Sequence, residues 1–284
     1  VSALRELQRE ISMLCVTHNR ADIVGWAIHD NFATLDGAPI REIVWLDNGS
    51  TDAAYQQMRA MFYEVATLHS VRLIECRLNV NRGAAWAQNR AIALASGDAF
   101  LVTDCDMTFN PGVLRDAAEV LFRDERRMSV SIYHFVPDPA KTPERFTAKD
   151  NVSEWGPEWS EQLSNGHTVR LKPGLAMVSK MFRREAVEIA GWIHQGFGLC
   201  EYDDCEWAYR LRARCCERGL MSLVMMGTNS THLPDVLGGH PIDTEGAEYW
   251  DAKEREFKDP NKVTTMLDLA ARGWPRFDPY PSSP

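Results

Sequence analysis

Ala99-Phe100-Leu101-Val102-Thr103-Asp104-Cys105-Asp106 is an apolar run that ends in two aspartates parted by one residue. A run of this length and composition reads as a buried strand. A strand that ends in Asp-x-Asp delivers two hard oxygen donors to the carboxyl edge of a sheet, where open α/β sheets bind ligands. Two carboxylates so close repel each other unless one is protonated or a cation lies between them. A divalent ion that also grips a diphosphate resolves the conflict, and oxygen donors suit Mg2+ or Mn2+ better than zinc. Taken alone, the same tripeptide is equally well a helix N-cap followed by a solvated turn residue. Its meaning therefore rests on its surroundings.

Upstream, strand and helix signals alternate. Ile11 to Thr17 is a short apolar run broken by His18-Asn19-Arg20, and Ile23, Ala27, Ile28 and Phe32 then recur at helical spacing. Ile40 to Leu46 reads as a second strand, closed by Asp47-Asn48-Gly49-Ser50-Thr51-Asp52, which is turn chemistry with an Asp N-cap for the next helix. Met58, Met61, Phe62 and Val65 mark the next helix, Val71 to Cys76 a third strand, and Gly83 to Ala95 an Ala-rich helix closed by Gly97. Such βαβα alternation predicts a parallel sheet with helices on both faces.

Downstream the order changes. A helix is expected over Val113 to Phe122 and a strand over Met128 to Phe135. Pro137 to Asn165, rich in Pro, charge and Trp, reads as a long surface loop or lid. Two strands follow, Val169 to Leu171 and Leu175 to Val178, then helices from about Arg184 and Asp203, and a strand over Leu220 to Met226. Pro234 to Pro260 reads as loop, and Val263 to Arg272 as a last short helix before a Pro-rich tail. No clean linker interrupts the chain, so residues 1–284 are read as one domain: a nucleotide-binding half over about 10–110, an acceptor-side half over about 111–233, and a C-terminal loop and tail over 234–284.

A chain of 284 residues can bury a large core. Its net charge of -9 argues against a general grip on nucleic acid, which needs a basic stripe. No apolar stretch approaches the length that crosses a bilayer, and the first residues show no signal-peptide pattern. The seven cysteines are odd in number, and none is paired at zinc spacing. Together these features read as reduced thiols in a cytoplasmic protein. Oligomeric state is not legible.

Four stations thus stand at strand ends: Thr17-His18-Asn19-Arg20, Asp47 to Asp52, Asn81-Arg82-Gly83 leading to Asn89, and Asp104-Cys105-Asp106. In a parallel sheet all four meet at one edge. The ordered set resembles the nucleotide-sugar-dependent glycosyltransferases of the GT-A fold, near glycosyltransferase family 2, over roughly residues 10 to 232. The resemblance implies a Rossmann-like, mostly parallel central sheet flanked by helices, with a C-terminal acceptor-side subregion. It also implies Mn2+ (or Mg2+) as cofactor and a nucleotide-sugar donor, with a UDP-sugar favoured because Asp47 stands where the family receives uracil or ribose. Implied donor contacts are Thr17, His18, Asn19, Arg20, Asp47, Asn48, Arg82, Gly83, Asn89, Asp104 and Cys105. Asp106 is implied as direct metal ligand with Asp104 beside it. Asn81 to Asn89 is similar to the family's Asn-x-Gly-x-x-x-Ala-Arg-Asn run but carries Gln88 in place of Arg.

Gly191-Trp192-Ile193, Gly196-Phe197 and Tyr202-Asp203-Asp204-Cys205-Glu206 resemble the family's Gly-Gly-Phe segment and acidic helix start. On that likeness Asp204 is the general base, while Trp192, Asp203 and Glu206 face the acceptor. Read without it, the same acids simply suit a helix N-terminus. His232 is the candidate third metal ligand, with His240 as the fallback. The implied reaction is transfer to an acceptor hydroxyl with inversion. The acceptor itself (glycan, lipid, small molecule, protein or modified nucleic acid) is not legible. Retention, a nucleotidyltransferase that makes sugar nucleotides, and a non-catalytic nucleotide-sugar-binding module remain alternatives; against the second, the loop after the first strand has no glycine.

Overall fold

Strand β1 (Ile11–Thr17) lies at the centre of the N-terminal half, paired in parallel with β2 (Ile40–Asp47) on one side and β4 (Ala99–Thr103) on the other. The computed structural model describes residues 9–134, 157–175, 179–195 and 203–232. The chain divides into two compact units, Val1–Leu233 and Pro234–Pro284, and every described residue belongs to the first. Both neighbours of β1 are strands and both faces carry helices, so its seven residues are nearly all buried. That explains why it reads as a continuous apolar run rather than an alternating one. β3 (Arg72–Arg77) forms the edge beyond β2, and its half-exposed, charged sequence suits an edge.

The order across the sheet is β3-β2-β1-β4-β9-β6-β10-β8-β7, with β5 (Met107–Phe109) pairing with β10 off this path. β6 (Arg127–His134) and β10 (Met221–His232) are parallel to each other. β9 (Lys180–Arg183) lies between β4 and β6, antiparallel to both. β7 (Trp159–Gln162) and β8 (Thr168–Pro173) form an antiparallel hairpin on the far edge.

Strand alternation sorts the core into two layers. Met13, Cys15, Ile43, Trp45 and Leu101 face one side, against α1 (Ala21–Ala33), α2 (Asp52–His69) and α4 (Val113–Arg123). Trp45 stacks on Phe62 at 4.7 Å and on Tyr55 at 5.5 Å, and its indole N–H donates to Thr17 Oγ1 at 2.9 Å, so the large buried ring leaves no unmet donor. Leu14, Val44, Leu46, Phe100 and Val102 face the other side, against α3 (Ala84–Leu94), α5 (Arg184–Ala190) and α6 (Asp203–Glu217).

The expected parallel sheet, its first four strands and the helices between them are all present. The second half departs from expectation in four places. Within the stretch expected to be loop, Trp159–Gln162 is a strand, whose residues are alternately half-buried and exposed; residues 135–156 lie outside the described residues. Of the strand expected over Leu175 to Val178, residues 176–178 lie outside the described residues; a further strand, not expected, runs over Lys180–Arg183. There the charged ends of Lys180 and Arg183 hide the strand signal, although both are almost fully buried. The strand expected to stop at Met226 continues through Gly227 and a polar run to His232, because it gains β5 as a partner. β5 itself was not expected; three residues are too few for a periodicity. The helix expected at Val263 to Arg272 and the loop from Pro234 lie outside the described residues.

Glu42 ties the base of the sheet together. Its carboxylate accepts from Ser12 Oγ at 2.7 Å, Ser96 N at 2.8 Å and Ser96 Oγ at 2.7 Å, with Arg72 at 3.3 Å. Burial opposes its ionisation, but these donors outweigh burial and hold its pKa below the ordinary glutamate value. A depressed folded pKa means the stabilisation is present above the unfolded value and lost as pH falls through the folded one. Glu42→Gln should therefore lower stability by about 1–3 kcal/mol at pH 7. The gap to wild type in denaturant melts should close as pH drops below about 4.

Candidate active site

The carboxyl ends of β1 to β4 open on one edge, and each carries one of the four sequence stations. Thr17 pairs with Asp47, and Cys15 pairs with Thr103, so the segments that follow emerge side by side. After Thr17 the chain turns through Asn19, whose φ of 54° lies in the left-handed region that Asn tolerates. Asn19 pins this loop to the next one: its backbone N–H donates to Ser50 Oγ at 2.8 Å, and its Oδ1 accepts from Thr51 N at 2.8 Å. His18 is exposed, and its Nδ1–H donates to the Asn48 carbonyl at 3.0 Å. Its Nε2 lies 3.2 Å from Asn19 Nδ2, so both ring nitrogens are engaged. Arg20 pairs with Asp22 at 3.4 Å.

Asn48, only 3% exposed, is the joint of the site. Its Nδ2 donates to Asn81 Oδ1 at 2.9 Å and to the Gly83 carbonyl at 3.3 Å, while its Oδ1 accepts from Arg82 N at 2.9 Å. Its own N–H donates to the Thr17 carbonyl at 2.8 Å. One amide side chain thus fastens the second station to the third, and its backbone fastens both to the first. Gly49 permits the approach. It has φ of +80°, and a Cβ there would stand 2.4 Å from the Val80 carbonyl carbon and 2.5 Å from Asn81 N. Gly83, with φ 86° and ψ 156°, opens α3 in a region essentially closed to other residues.

Asp47 is fully buried. Its Oδ2 accepts from Ser50 N at 3.2 Å and lies 3.6 Å from Arg77 Nε, while its Oδ1 has no hydrogen-bond partner among the described residues. A buried carboxylate oxygen without a donor is costly, and such exceptions call for a functional explanation.

Asp104 is exposed and Asp106 is 4% exposed, with Met107 N closing the turn on the Asp104 carbonyl at 3.2 Å. Burial first, then the Asp106 and Asp104 carboxylates, push the Cys105 thiol well above its ordinary range, with Arg20 acting in the opposite sense. The half-buried thiol therefore stays protonated. Two hard oxygen donors fit a Mg2+ or Mn2+ ion. Among the described residues no group of three or more His, Cys, Asp or Glu side chains forms a metal cage. The backbone of His232 is opposite Met107, one residue from Asp106. It therefore belongs to a strand rather than to the loop expected for it. His240 lies outside the described residues.

In the second half, Asp204 stands half-buried in the first turn of α6, and Trp192 stands half-buried against the core. Glu206 does not face the open edge. It is 5% exposed and gives both oxygens to Arg210, at 2.7 and 2.6 Å. Asn89 is fully buried and turned away from the donor loops: its Nδ2 donates to the Ile193 carbonyl at 2.7 Å and its Oδ1 accepts from Ile193 N at 2.9 Å. Arg210 was overlooked in the sequence, although Glu206 four residues earlier on a helix is a readable pairing signal. Arg77 was overlooked too, because it ends an edge strand with no motif of its own.

The family model described as "Glycosyl transferase family 2" matches residues 12–189 of this chain. The chain belongs to glycosyl transferase family 2. Among relatives, it is 33% identical over 105 residues to the succinoglycan biosynthesis protein ExoU of Rhizobium meliloti, a stretch that covers 37% of this chain and 28% of that protein. Its fold, GT-A, is shared with a mannosyltransferase from Pyrobaculum calidifontis in complex with GDP-Man and Mn2+: TM-score 0.58, 18% identity, 98% of this chain and 72% of that one. It is likewise shared with GalNAc-T7 in complex with UDP, GalNAc and Mn2+: TM-score 0.58, 12% identity, 93% of this chain and 55% of that one. Among the described residues no helix is long and apolar enough to cross a membrane.

If Gly49 is what lets the second station touch the third in this family 2 site, Gly49→Ala must both strain the backbone and part the loops. Stability should drop by about 2 kcal/mol or more, read as a Tm lower by roughly 4–8 °C in a thermal melt.

Proposed function

We propose that this family 2 protein transfers a sugar from a nucleotide-diphosphate donor to an acceptor hydroxyl, with a divalent cation and with inversion at the anomeric carbon. The observation that carries the reading is the convergence of the four stations on one sheet edge, fastened to one another through Asn48 and Asn19. Family membership favours glycosyl transfer over nucleotidyl transfer and over a binding module without chemistry.

A uridine donor is favoured by Asp47. Its buried Oδ1 awaits a donor, and the imide N–H of uracil is a donor of the right kind. The UDP of the GalNAc-T7 complex supports that choice, while the GDP-Man of the Pyrobaculum complex keeps guanosine as the competitor to test. Thr17 to Arg20 line the same edge, and exposed His18, its ring fixed by two hydrogen bonds, offers a face for the base. Gly83 brings backbone close to the phosphates at the N-terminus of α3, which suits anions. Asp106 and Asp104 are the residues that would hold the cation, with His232 as the third candidate; when bound, such an ion neutralises the diphosphate that leaves. Both neighbouring complexes contain Mn2+.

Asp204 acts as general base. It stands in the first turn of α6. It takes the proton of the acceptor hydroxyl as that oxygen attacks the anomeric carbon from the face opposite the diphosphate. One C–O bond forms, the bond to the phosphate oxygen breaks, and no covalent enzyme intermediate arises. Trp192 presents an indole to the acceptor, and Asp203 lies beside Asp204 in sequence. Glu206 and Asn89 serve by position, since their polar atoms are committed within the protein.

The test is release of nucleoside diphosphate from a panel of UDP- and GDP-sugars, with Mn2+ and again after EDTA. Release that needs the metal is expected; pyrophosphate formation would point to nucleotidyl transfer instead. Asp204→Asn should cut turnover by roughly a hundred- to ten-thousand-fold with donor affinity nearly intact. Asp106→Ala should weaken Mn2+ and donor binding together. A product that keeps the anomeric configuration would remove the base role from Asp204.

A further inference from the structure

Four consecutive residues, Ala190 to Ile193, have their backbone held by side chains from two other elements. Arg210 of α6 donates to the Ala190 carbonyl and, at 3.0 Å, to that of Trp192. Trp207 of α6 donates its indole N–H to the Gly191 carbonyl at 2.8 Å. Asn89 of α3 takes both polar groups of Ile193. All three are nearly or fully buried, and the Glu206 carboxylate fixes the Arg210 guanidinium in a bidentate grip. A loop so completely gripped is held in one place, not merely covered.

The two helices that do the holding are those that serve the two substrates. α3 starts at Gly83, which Asn48 fastens to the donor loops, and Asn89 lies six residues along, about 9 Å down the helix. α6 carries Asp204 in its first turn and reaches Trp207 and Arg210 in the next two. Trp192 sits between these attachments.

We propose that Asn89 is a positioning residue rather than a donor contact. With Arg210 and Trp207 it sets the Gly191–Ile193 segment, and hence Trp192 and the Asp204 helix, in register with the bound donor. This deepens the transferase reading above and rests on it. Loss of the latch leaves the donor loops intact, because Asn48, Asn81 and Gly83 are untouched, but displaces the groups that meet the acceptor. A displacement of about 1 Å at a reacting centre can cost roughly a hundredfold.

The experiment compares wild type with Asn89→Ala and Arg210→Lys, the latter keeping a cation against Glu206 without the Nη1 group that reaches two carbonyls. Two quantities are read: the dissociation constants of UDP and of GDP with Mn2+ by calorimetry, and the rate of nucleoside diphosphate release from the sugar nucleotide, water being the acceptor when no other is supplied. Affinity within twofold of wild type together with release slowed by about 10- to 100-fold is expected for both variants. Affinity that falls in step with the rate makes Asn89 a donor contact and overturns the proposal, as does an unchanged rate. If Asn89→Ala fails to fold, the same split or its absence in Arg210→Lys decides. A wild-type protein that releases nucleotide from no donor overturns the transferase reading, and that failure appears before any substitution is made.

Discussion

The side-chain amide of Asn48 is the contact on which the donor edge depends. Loops that leave different strands of a parallel sheet have no ladder to hold them together past the last pair of residues. Here one buried amide uses its N–H groups and its oxygen on Asn81, Gly83 and Arg82, and its backbone on Thr17 and His18. Each such bond contributes only about 1 kcal/mol net. A buried amide left without partners would cost more, so the loops hold together or separate as a unit. The sheet below makes this possible: continuous burial of β1, β2 and β4 fixes their ends in register.

The donor half was legible in the sequence because its signals are local. Apolar runs bounded by turn residues gave the strands, although the cap of α2 is Thr51, which accepts from Ala54 N, and not the Asp expected there. The family likeness placed the four stations, and the sheet brings them to one edge. Side-chain commitment was less legible. Asn89 and Glu206 look in sequence like residues free to meet substrate, yet both are spent on partners far away in the chain or on another turn of the same helix. Nothing in a linear pattern distinguishes an amide aimed at a ligand from one aimed at Ile193, 104 residues away. In the second half, a strand was missed and another cut short where tertiary pairing overrides composition: Lys180 and Arg183 are charged yet buried, and the polar run before His232 extends a strand only because β5 is there to receive it.

Arg183 shows how such a charge is tolerated. Burial lowers the pKa of its guanidinium, which nonetheless donates to the carbonyls of Arg127, Leu121 and Asp124 and packs over Phe122. These carbonyls lie around the end of α4 and the start of β6, so the arginine also fastens the connection between them. A donor with five N–H groups in a planar fork is well suited to this task, and a lysine would leave part of it undone.

The reversed strand β9 has a consequence for how the chain is made. It joins β4 to β6, yet it lies roughly eighty residues beyond β4 in the sequence. At ordinary rates of synthesis of about 5–20 residues per second, the growing chain completes its first four parallel strands roughly 4–16 s before that seam can close. During this interval the flank of β4, with Phe100, Leu101 and Val102, has open hydrogen-bonding groups beside a greasy surface. A nascent chain in that state invites association with others like it, so the burden on chaperones should be concentrated in the interval between the emergence of β4 and that of β9.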